Sequence, residues 1–356
     1  MVVDRGRVSA ESIEVKITNW SHCFEGKVMN SSVASVTVAY NAAKVLPRQI
    51  DALLRQNRPL QEIVVVDNAS NDGTAAMLAR RYPKVKVLEM PENLGAAGGL
   101  AAGLSYAALS RRHDWIWTFD FDSVPAADSL ATMLGGIESL DRKLDIGMIA
   151  PMPVHRQTGT FYPPLLWRDG LVRPTIEQMR KPLWFADLVI ASGSLVRRKV
   201  VETIGLPRAD FFMDFFDFEY SLRARTHGYE IAVVPQAELG HEIGDARTVW
   251  FLGRSRLWTN QPPWRAYYFS RNLAYLGWWL YPNRRTKISV ARFLAKRLAA
   301  VVFLGSSGAA CAMRMIQGFH DGLRGRMEIR LRPGVGTLQG FEDAQRTGGP
   351  IEAEKA

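Results

Sequence analysis

Trp115-Ile116-Trp117-Thr118-Phe119-Asp120-Phe121-Asp122-Ser123 opens as an apolar run and stops on two aspartates one residue apart. The large and β-branched residues read as a buried strand, and Asp120 reads as its end. A turn just after a strand can bring both carboxylates toward one ion. Hard oxygen ligands of this kind suit Mg²⁺ or Mn²⁺, which complete their shells with substrate phosphates and water. Taken alone, a D-x-D after a strand is more often a solvated turn, so its meaning depends on the sheet it belongs to.

Upstream the same pattern recurs. Val33 to Ala39 reads as a buried strand that stops at Tyr40 and Asn41. Leu46, Ile50, Leu53 and Leu54 then recur at helical spacing, with Pro47 tolerated in a first turn. Ile63 to Val66 is a second apolar strand, ending at Asp67, and Asn71 or Asp72 can cap the short helix through Met77 and Leu78. Val85 to Leu88 is a third strand. Leu100, Leu104 and Ala108 share one helix face, and Ala126 to Ile137 is helical again after the D-x-D. Strands alternating with helices imply a mostly parallel α/β sheet covered on both faces. Ligands of such sheets bind beyond the carboxyl ends of the strands. Tyr40, Asn41, Asp67, Asn68, Asn93, Asp120 and Asp122 all fall at those ends.

Downstream the pattern loosens. Leu188 to Val196 reads as a strand running into a helix from Arg197 to Ile204. Phe215, Phe218 and Leu222 mark a helix that ends near Gly228, and Ile231 to Val234 is a short strand. From Tyr267 the chain is aromatic, basic and helical. These shifts divide it into an extension (1–32), an α/β unit (33–260), a basic aromatic helical region (261–332) and a polar tail (333–356).

The 356 residues are 47% hydrophobic and 22% charged, which suits a folded globular protein. The formal net charge of +10 points to an anionic partner. Its excess gathers between Arg284 and Arg332, with no recognisable nucleic-acid module, so contact with an anionic membrane face is the expected reading and nucleic acid is not. Two cysteines, Cys23 and Cys311, fit no zinc or redox spacing, and a reducing cytoplasm is expected. Asp4, Arg5 and Arg7 break any signal peptide. The uncharged run Leu298 to Met313, interrupted by Gly305, Ser306, Ser307 and Gly308, reads as a buried or interfacial helical hairpin rather than a span.

Four further constellations carry candidate chemistry. Asp67-Asn68-Ala69-Ser70-Asn71-Asp72-Gly73 follows a strand directly, where Asp67 can accept hydrogen bonds from a base or ribose. Asn93-Leu94-Gly95-Ala96-Ala97-Gly98-Gly99 puts small residues at a helix start, where amides can approach an anion. It is not G-x-G-x-x-G and follows the third strand, which disfavours a nicotinamide site. Asp214-Phe215-Phe216-Asp217-Phe218-Glu219 interleaves acids with phenylalanines, and a carboxylate among aromatics is pushed toward the pKa of a general base. His241, followed by Glu242-Ile243-Gly244-Asp245, lies just beyond a short strand as a candidate metal ligand.

In this order the motifs resemble the family 2 glycosyltransferases of the GT-A type, especially bacterial rhamnosyltransferases and galactofuranosyltransferases. The resemblance spans roughly Val33 to Met327. It rests on Val38-Ala39-Tyr40-Asn41, Val66-Asp67-Asn68-Ala69-Ser70, Asn93 through Gly99, Asp120 and Asp122, Ala191-Ser192-Gly193-Ser194, Asp217-Phe218-Glu219 and His241 through Gly244. Tyr268-Phe269-Ser270-Arg271-Asn272 and Asp321 through Arg326 look like further signatures of that subgroup. The resemblance implies a GT-A fold with a nucleotide-sugar half (33–125) and an acceptor half (126–260). It implies an inverting transfer of a sugar from a nucleotide diphosphate to a hydroxyl of a glycan or lipid-linked glycan. Tyr40, Asn41, Asp67, Asn93, Gly95 and Asp120 would bind the nucleotide sugar. Asp120, Asp122 and His241 would hold Mn²⁺ or Mg²⁺. Gly193, Ser194 and Glu219 would line the donor-sugar and acceptor side. Phe216 stands where the family places an acid, so Asp217 and Asp214 are both candidate bases. Rhamnose on thymidine diphosphate and galactofuranose on uridine diphosphate are the favoured donors. The alternative is a sugar-nucleotide-binding protein of the same fold without catalysis.

Overall fold

The computed structural model describes residues 30–138, 140, 144–155, 161–241, 246–251, 254–305 and 307–333. Most of the N-terminal extension, residues 242–245 after His241, and nearly all of the polar tail lie outside them.

The first half alternates as its periodicity dictates. β1 (Val33–Ala39), α1 (Leu46–Leu54), β2 (Glu62–Asp67), α2 (Thr74–Arg81), β3 (Lys86–Glu89), α3 (Gly95–Leu104), β4 (Trp115–Asp120), β5 (Val124–Pro125) and α4 (Ser129–Glu138) follow in order. Asp72 acts where a cap was expected: its carboxylate accepts from the backbone and hydroxyl of Thr74, while Gly73 occupies the N-cap position itself. The second half adds β6 (Ile146–His155), β7 (Leu166–Trp167), β8 (Leu171–Val172), α5 (Ile176–Met179), β9 (Trp184–Ala186), β10 (Leu195–Arg197), α6 (Arg198–Ile204), α7 (Phe216–Thr226), β11 (Glu230–His241), β12 (Ala246–Phe251) and β13 (Arg254–Thr259). Three helices close the described chain: α8 (Pro263–Tyr275), α9 (Arg284–Leu304) and α10 (Gly308–Leu323).

The main sheet runs β3-β2-β1-β4-β10-β6-β11-β5, with β9 also on β11. β3, β2, β1 and β4 are mutually parallel, β10 is antiparallel to both neighbours, and β6 and β11 are parallel. This is a GT-A fold: a mixed sheet flanked by helices, followed by a mostly helical C-terminal part.

Strands buried on both faces explain the β-branched runs. On β1, Ala34, Val36 and Val38 pack toward α3, while Val33 and Ala39 join cores on the other face. On β4, Ile116 faces the α3 side, and Trp115, Trp117 and Phe119 face α4. Register places Ala39 beside Asp67 and Val38 beside Asp120. The carboxyl ends of three neighbouring strands therefore share one edge, with Tyr40, Asp67 and Asp120 along it.

Two expectations need correction. Leu188 to Val196 is not one strand, because only Leu195 to Arg197 enters the sheet. The chain turns at Gly193, whose φ of +82° ends extended geometry, and Leu188 makes an isolated bridge to Leu165. The strand expected at Ile231 to Val234 instead runs from Glu230 to His241, with a register irregularity between Val233 and Glu238. β6 was not anticipated at all.

The run from Leu298 to Met313 is the junction of two helices. α9 ends at Leu304 and α10 begins at Gly308. No helix among the described residues is long and apolar enough to cross a membrane.

Candidate active site

The D-x-D turn is held from behind by buried polar groups. Gln49 of α1 is fully buried; its amide donates to the carbonyls of Asp120 and Ser123 and accepts from the Thr37 hydroxyl. Ser192 accepts from the Asp120 amide at 3.1 Å and shares a 2.6 Å hydrogen bond with Ser123. Phe121 points away into the core formed with Leu46, Ile50 and Leu78. Asp120 lines a cleft of about 370 Å³ together with Ser192, Ser194, Asp214, Asp217 and Arg265.

Opposite the turn lies the segment that carries the acids. Phe212, Asp214 and Phe215 all have φ near +60°, a region that costs a non-glycine residue roughly 1–3 kcal/mol. The surroundings impose it. Phe212 is fully buried between the α3 start and the rings of Trp264 and Tyr268. The Asn272 amide donates to the carbonyls of Phe211, Met213 and Asp214 at 2.9, 2.7 and 2.9 Å. Arg271 is also fully buried and donates to Asp210, Phe211, Met327 and Glu328 carbonyls. Both residues sit on α8. The return at Met327 and Glu328 reaches Arg271 because Gly322 lets α10 lie directly on the Arg271 carbonyl, where a Cβ would come within 2.3 Å.

The two candidate bases are now distinct. Asp214 is gripped by Arg265, whose Nε and Nη2 donate at 2.8–3.2 Å to its two oxygens. Arg265 is held above its ordinary pKa first by Asp214, with Asp120 and Asp122 adding to the effect and burial opposing it. Among the described residues, no cation forms an ion pair with Asp217. Its Oδ1 accepts from the Phe218 amide at 2.9 Å and its Oδ2 from the Ala191 amide at 3.4 Å. Burial first, then repulsion from Asp120 and Asp214, pushes its pKa up to about 7 against those hydrogen bonds.

Asn93 and Gly95 serve a different purpose from the expected anion cradle. The amides of Leu94, Gly95 and Ala97 are taken by Asn68, Asn93 and the Phe212 carbonyl. Gly95 has φ +71°, and a Cβ there would lie 2.2 Å from the Phe212 oxygen. The small residues thus admit protein backbone, and Gly99 admits Val38. Tyr40, Asn41 and Asp67 lie outside the cleft lining, at the β1 and β2 ends. There Asn41 exchanges hydrogen bonds with Ser70 and Asn71, and buried Asp67 accepts from Ser70. His241 ends β11 beside His155, but its side chain lies outside what the structure describes. Among the described residues, no three His, Cys, Asp or Glu side chains converge on one ion.

The family 2 glycosyltransferase model matches residues 35–205, which contain the first half of the sheet, the D-x-D and the Ser192 turn. The dTDP-rhamnosyl transferase RfbF of Shigella flexneri is 28% identical over 68% of this chain and 79% of its own. The galactofuranosyltransferase GlfT1 of Mycolicibacterium smegmatis is 25% identical over 68% and 82%. An N-acetylglucosaminyl-diphospho-decaprenol L-rhamnosyltransferase of Mycobacterium tuberculosis is 26% identical over 72% and 90%. Residues 35–205 carry a family 2 glycosyltransferase domain, and the chain is a glycosyltransferase. A solved structure of GalNAc-T7 with UDP, GalNAc and Mn²⁺ shares its fold at a TM-score of 0.54 and 16% identity, over 83% of this chain and 56% of that one.

In this glycosyltransferase Glu219 does not line the cleft. An α-helix turns about 100° per residue, so Glu219 lies about 200° from Asp217. Its buried carboxylate grips Arg223, which in turn donates to the Ile204 and Leu206 carbonyls. Glu219→Ala is expected to lower stability by about 3 kcal/mol, as an orphaned half-buried cation requires, while donor KM stays near wild type. A denaturation curve beside a steady-state assay checks both. Gly193 also faces inward: its carbonyl accepts from Trp117 Nε1 at 2.8 Å. Arg265, Gln49, Ser192 and the Arg271–Asn272 pair carry the site without having been singled out for it. Ser192 stood within the Ala191-to-Ser194 motif, and the Tyr268-to-Asn272 signature hinted at the last two.

Proposed function

We propose that this glycosyltransferase moves a sugar with inversion from a nucleotide diphosphate to a hydroxyl of a glycan or lipid-linked glycan. The observation that carries the reading is Asp217, a carboxylate with a pKa of about 7, in the same cleft as Asp120. At neutral pH it can be ionised and still basic enough to take the acceptor proton during attack on the anomeric carbon. Asp214, committed to Arg265, is poorly placed to do so. Base on one side and leaving group on the other is the division of labour that inversion requires.

Asp120 and Asp122 would hold Mn²⁺ or Mg²⁺, with His241 as the third ligand. The donor set fits: two hard carboxylates on a rigid turn, facing a site where Asp214 and Asp217 add negative charge and Arg265 supplies positive. Such an ion, when bound, supplies charge to the leaving diphosphate. Arg265, beside the same carboxylates, would add a fixed cation toward those oxygens. Tyr40, Asn41 and Asp67, on the same sheet edge as Asp120, would receive the base and ribose. Ser194 would line the sugar side.

For the donor, dTDP-rhamnose is favoured and UDP-galactofuranose comes next, on the strength of the named relatives. Thermal shift against a panel of nucleotide sugars, with and without Mn²⁺, tests this. The favoured donor should stabilise the chain only with metal, and should turn over. Stabilisation without turnover on any glycan acceptor would favour a binding protein of the same fold. Asp122→Ala should abolish metal-dependent stabilisation and lower turnover at least ~100-fold, the scale of losing charge stabilisation of a leaving group. Full turnover in excess chelator would overturn the metal assignment.

A further inference from the structure

α9 is an unusual helix. Its 21 residues hold Arg284, Arg285, Lys287, Arg292, Lys296 and Arg297 and no acidic residue. Only Thr286, Val290, Leu294 and Val301 are buried. Arg285, Ile288, Ser289, Arg292, Phe293 and Lys296 recur at i, i+3, i+4, i+7, i+8 and i+11 and share one solvent-facing depression. Arg285 is tied to Asp169 at 3.4 Å. Ile288, Phe293, Val302 and Phe303 are 47%, 40%, 52% and 75% exposed.

We propose that this face of α9 docks on an anionic lipid surface. A surface meant only for a soluble polyanion would need the cations but not the exposed Ile288, Phe293 and Phe303. A bilayer interface takes both, with apolar side chains below the headgroups and cations among the phosphates. The position in the fold gives the docking a purpose. Phe293 stacks on Phe269 at 6.2 Å and 24°, and Arg297 lies 5.6 Å over the same Phe269 ring. Phe269 is also a wall of the active-site cleft. Cleft and basic face therefore share an edge, so a membrane held by α9 lies next to the cleft that would accept a lipid-tethered hydroxyl. This purpose rests on the lipid-linked acceptor of the proposed function, but the binding itself does not.

The test is co-sedimentation of the full chain with vesicles of phosphatidylcholine alone and of phosphatidylcholine with phosphatidylglycerol, at low and high salt. The expected result is binding to the acidic vesicles that salt weakens. Each basic side chain near such a surface contributes about fivefold, so Arg292→Glu with Lys296→Glu should weaken binding by at least ~30-fold. Ile288→Ser with Phe303→Ser should also weaken it. All four side chains are exposed and outside the cleft, so both double variants should keep wild-type melting temperature and turnover of a soluble acceptor. Failure to bind either vesicle at low salt would overturn the proposal. So would binding that survives the charge reversals, or binding lost with charge but indifferent to the serines and matched by heparin. Because the sedimentation needs no sugar transfer, its failure leaves the proposed activity standing, and loss of activity leaves the docking standing.

Discussion

Asp217→Asn will lower kcat by about 10²–10⁴-fold, the usual scale for losing a positioned base, and leave donor affinity nearly unchanged. The same substitution will make the protein more stable at pH 8. A carboxyl raised from 3.8 to about 7 on folding adds its stability below the unfolded pKa and loses it as pH rises through the folded one. At pH 8 the wild type therefore carries an anion that the fold disfavours by up to ~4 kcal/mol. Asparagine removes that charge with little change of shape. An inactive variant that melts at higher temperature at pH 8, with the difference vanishing near pH 4, is the expected outcome. The acid limb of wild-type kcat/KM should fall below about pH 7, and lower still with saturating Mn²⁺, because positive charge at Asp120 offsets part of the repulsion. If Asp214→Asn loses kcat instead and Asp217→Asn does not, the base has been assigned to the wrong carboxylate. An Asp217→Asn that is less stable at pH 8 would show that the carboxylate has a structural role.

The second large effect is expected from a residue that touches no substrate. Asn272→Asp replaces the amide that donates to three carbonyls with a carboxyl that donates to none when ionised and to one when protonated. The Phe211, Met213 and Asp214 carbonyls would then face a buried oxygen, at a cost of about 1–3 kcal/mol for each lost partner. Three left-handed residues between Phe212 and Phe215 are kept in place by these contacts, so the segment should relax toward ordinary backbone geometry. Asp214 and the start of α7 move with it, and Asp217 with them. A 1 Å displacement of a catalytic group costs about 100-fold in rate. The expected result is a lowered melting temperature together with a kcat loss of that order, measured at a temperature where the variant is still folded. Donor KM should rise as well, because Asp214 holds Arg265 in the cleft and Phe212 packs against the start of α3. Wild-type kcat in a folded Asn272→Asp would remove α8 from the working of the site.

That dependence changes how the C-terminal region is understood. Composition separated 261–332 as an appendage, basic and aromatic. In the fold its first helix contributes Arg265 to the cleft and Arg271 and Asn272 to the backbone behind it. The Asp321-to-Arg326 signature serves the same end. Buried Asp321 accepts from the Tyr267 hydroxyl at 2.8 Å and pairs with Arg330, which ties the return after α10 to α8.

Local patterning alone determined the alternating first half, the strand ends where the polar residues gather, and the D-x-D among them. Period and strand-ending polarity are properties of neighbours in sequence, and the cores on both faces of the sheet only reinforce them. Tertiary structure decided the rest. The apolar run from Leu188 to Val196 has strand composition, but the Gly193 turn and the Ala191 contact with Asp217 prevent it from being one. Asp214, Asp217 and Glu219 look alike in sequence as acids among phenylalanines. One is bound by Arg265 from 51 residues away, one is left to be raised by burial, and one turns to Arg223 on the far side of the helix. The reach of a guanidinium across the fold and the 100° step of a helix separate them, and neither can be read from the identity of adjacent residues.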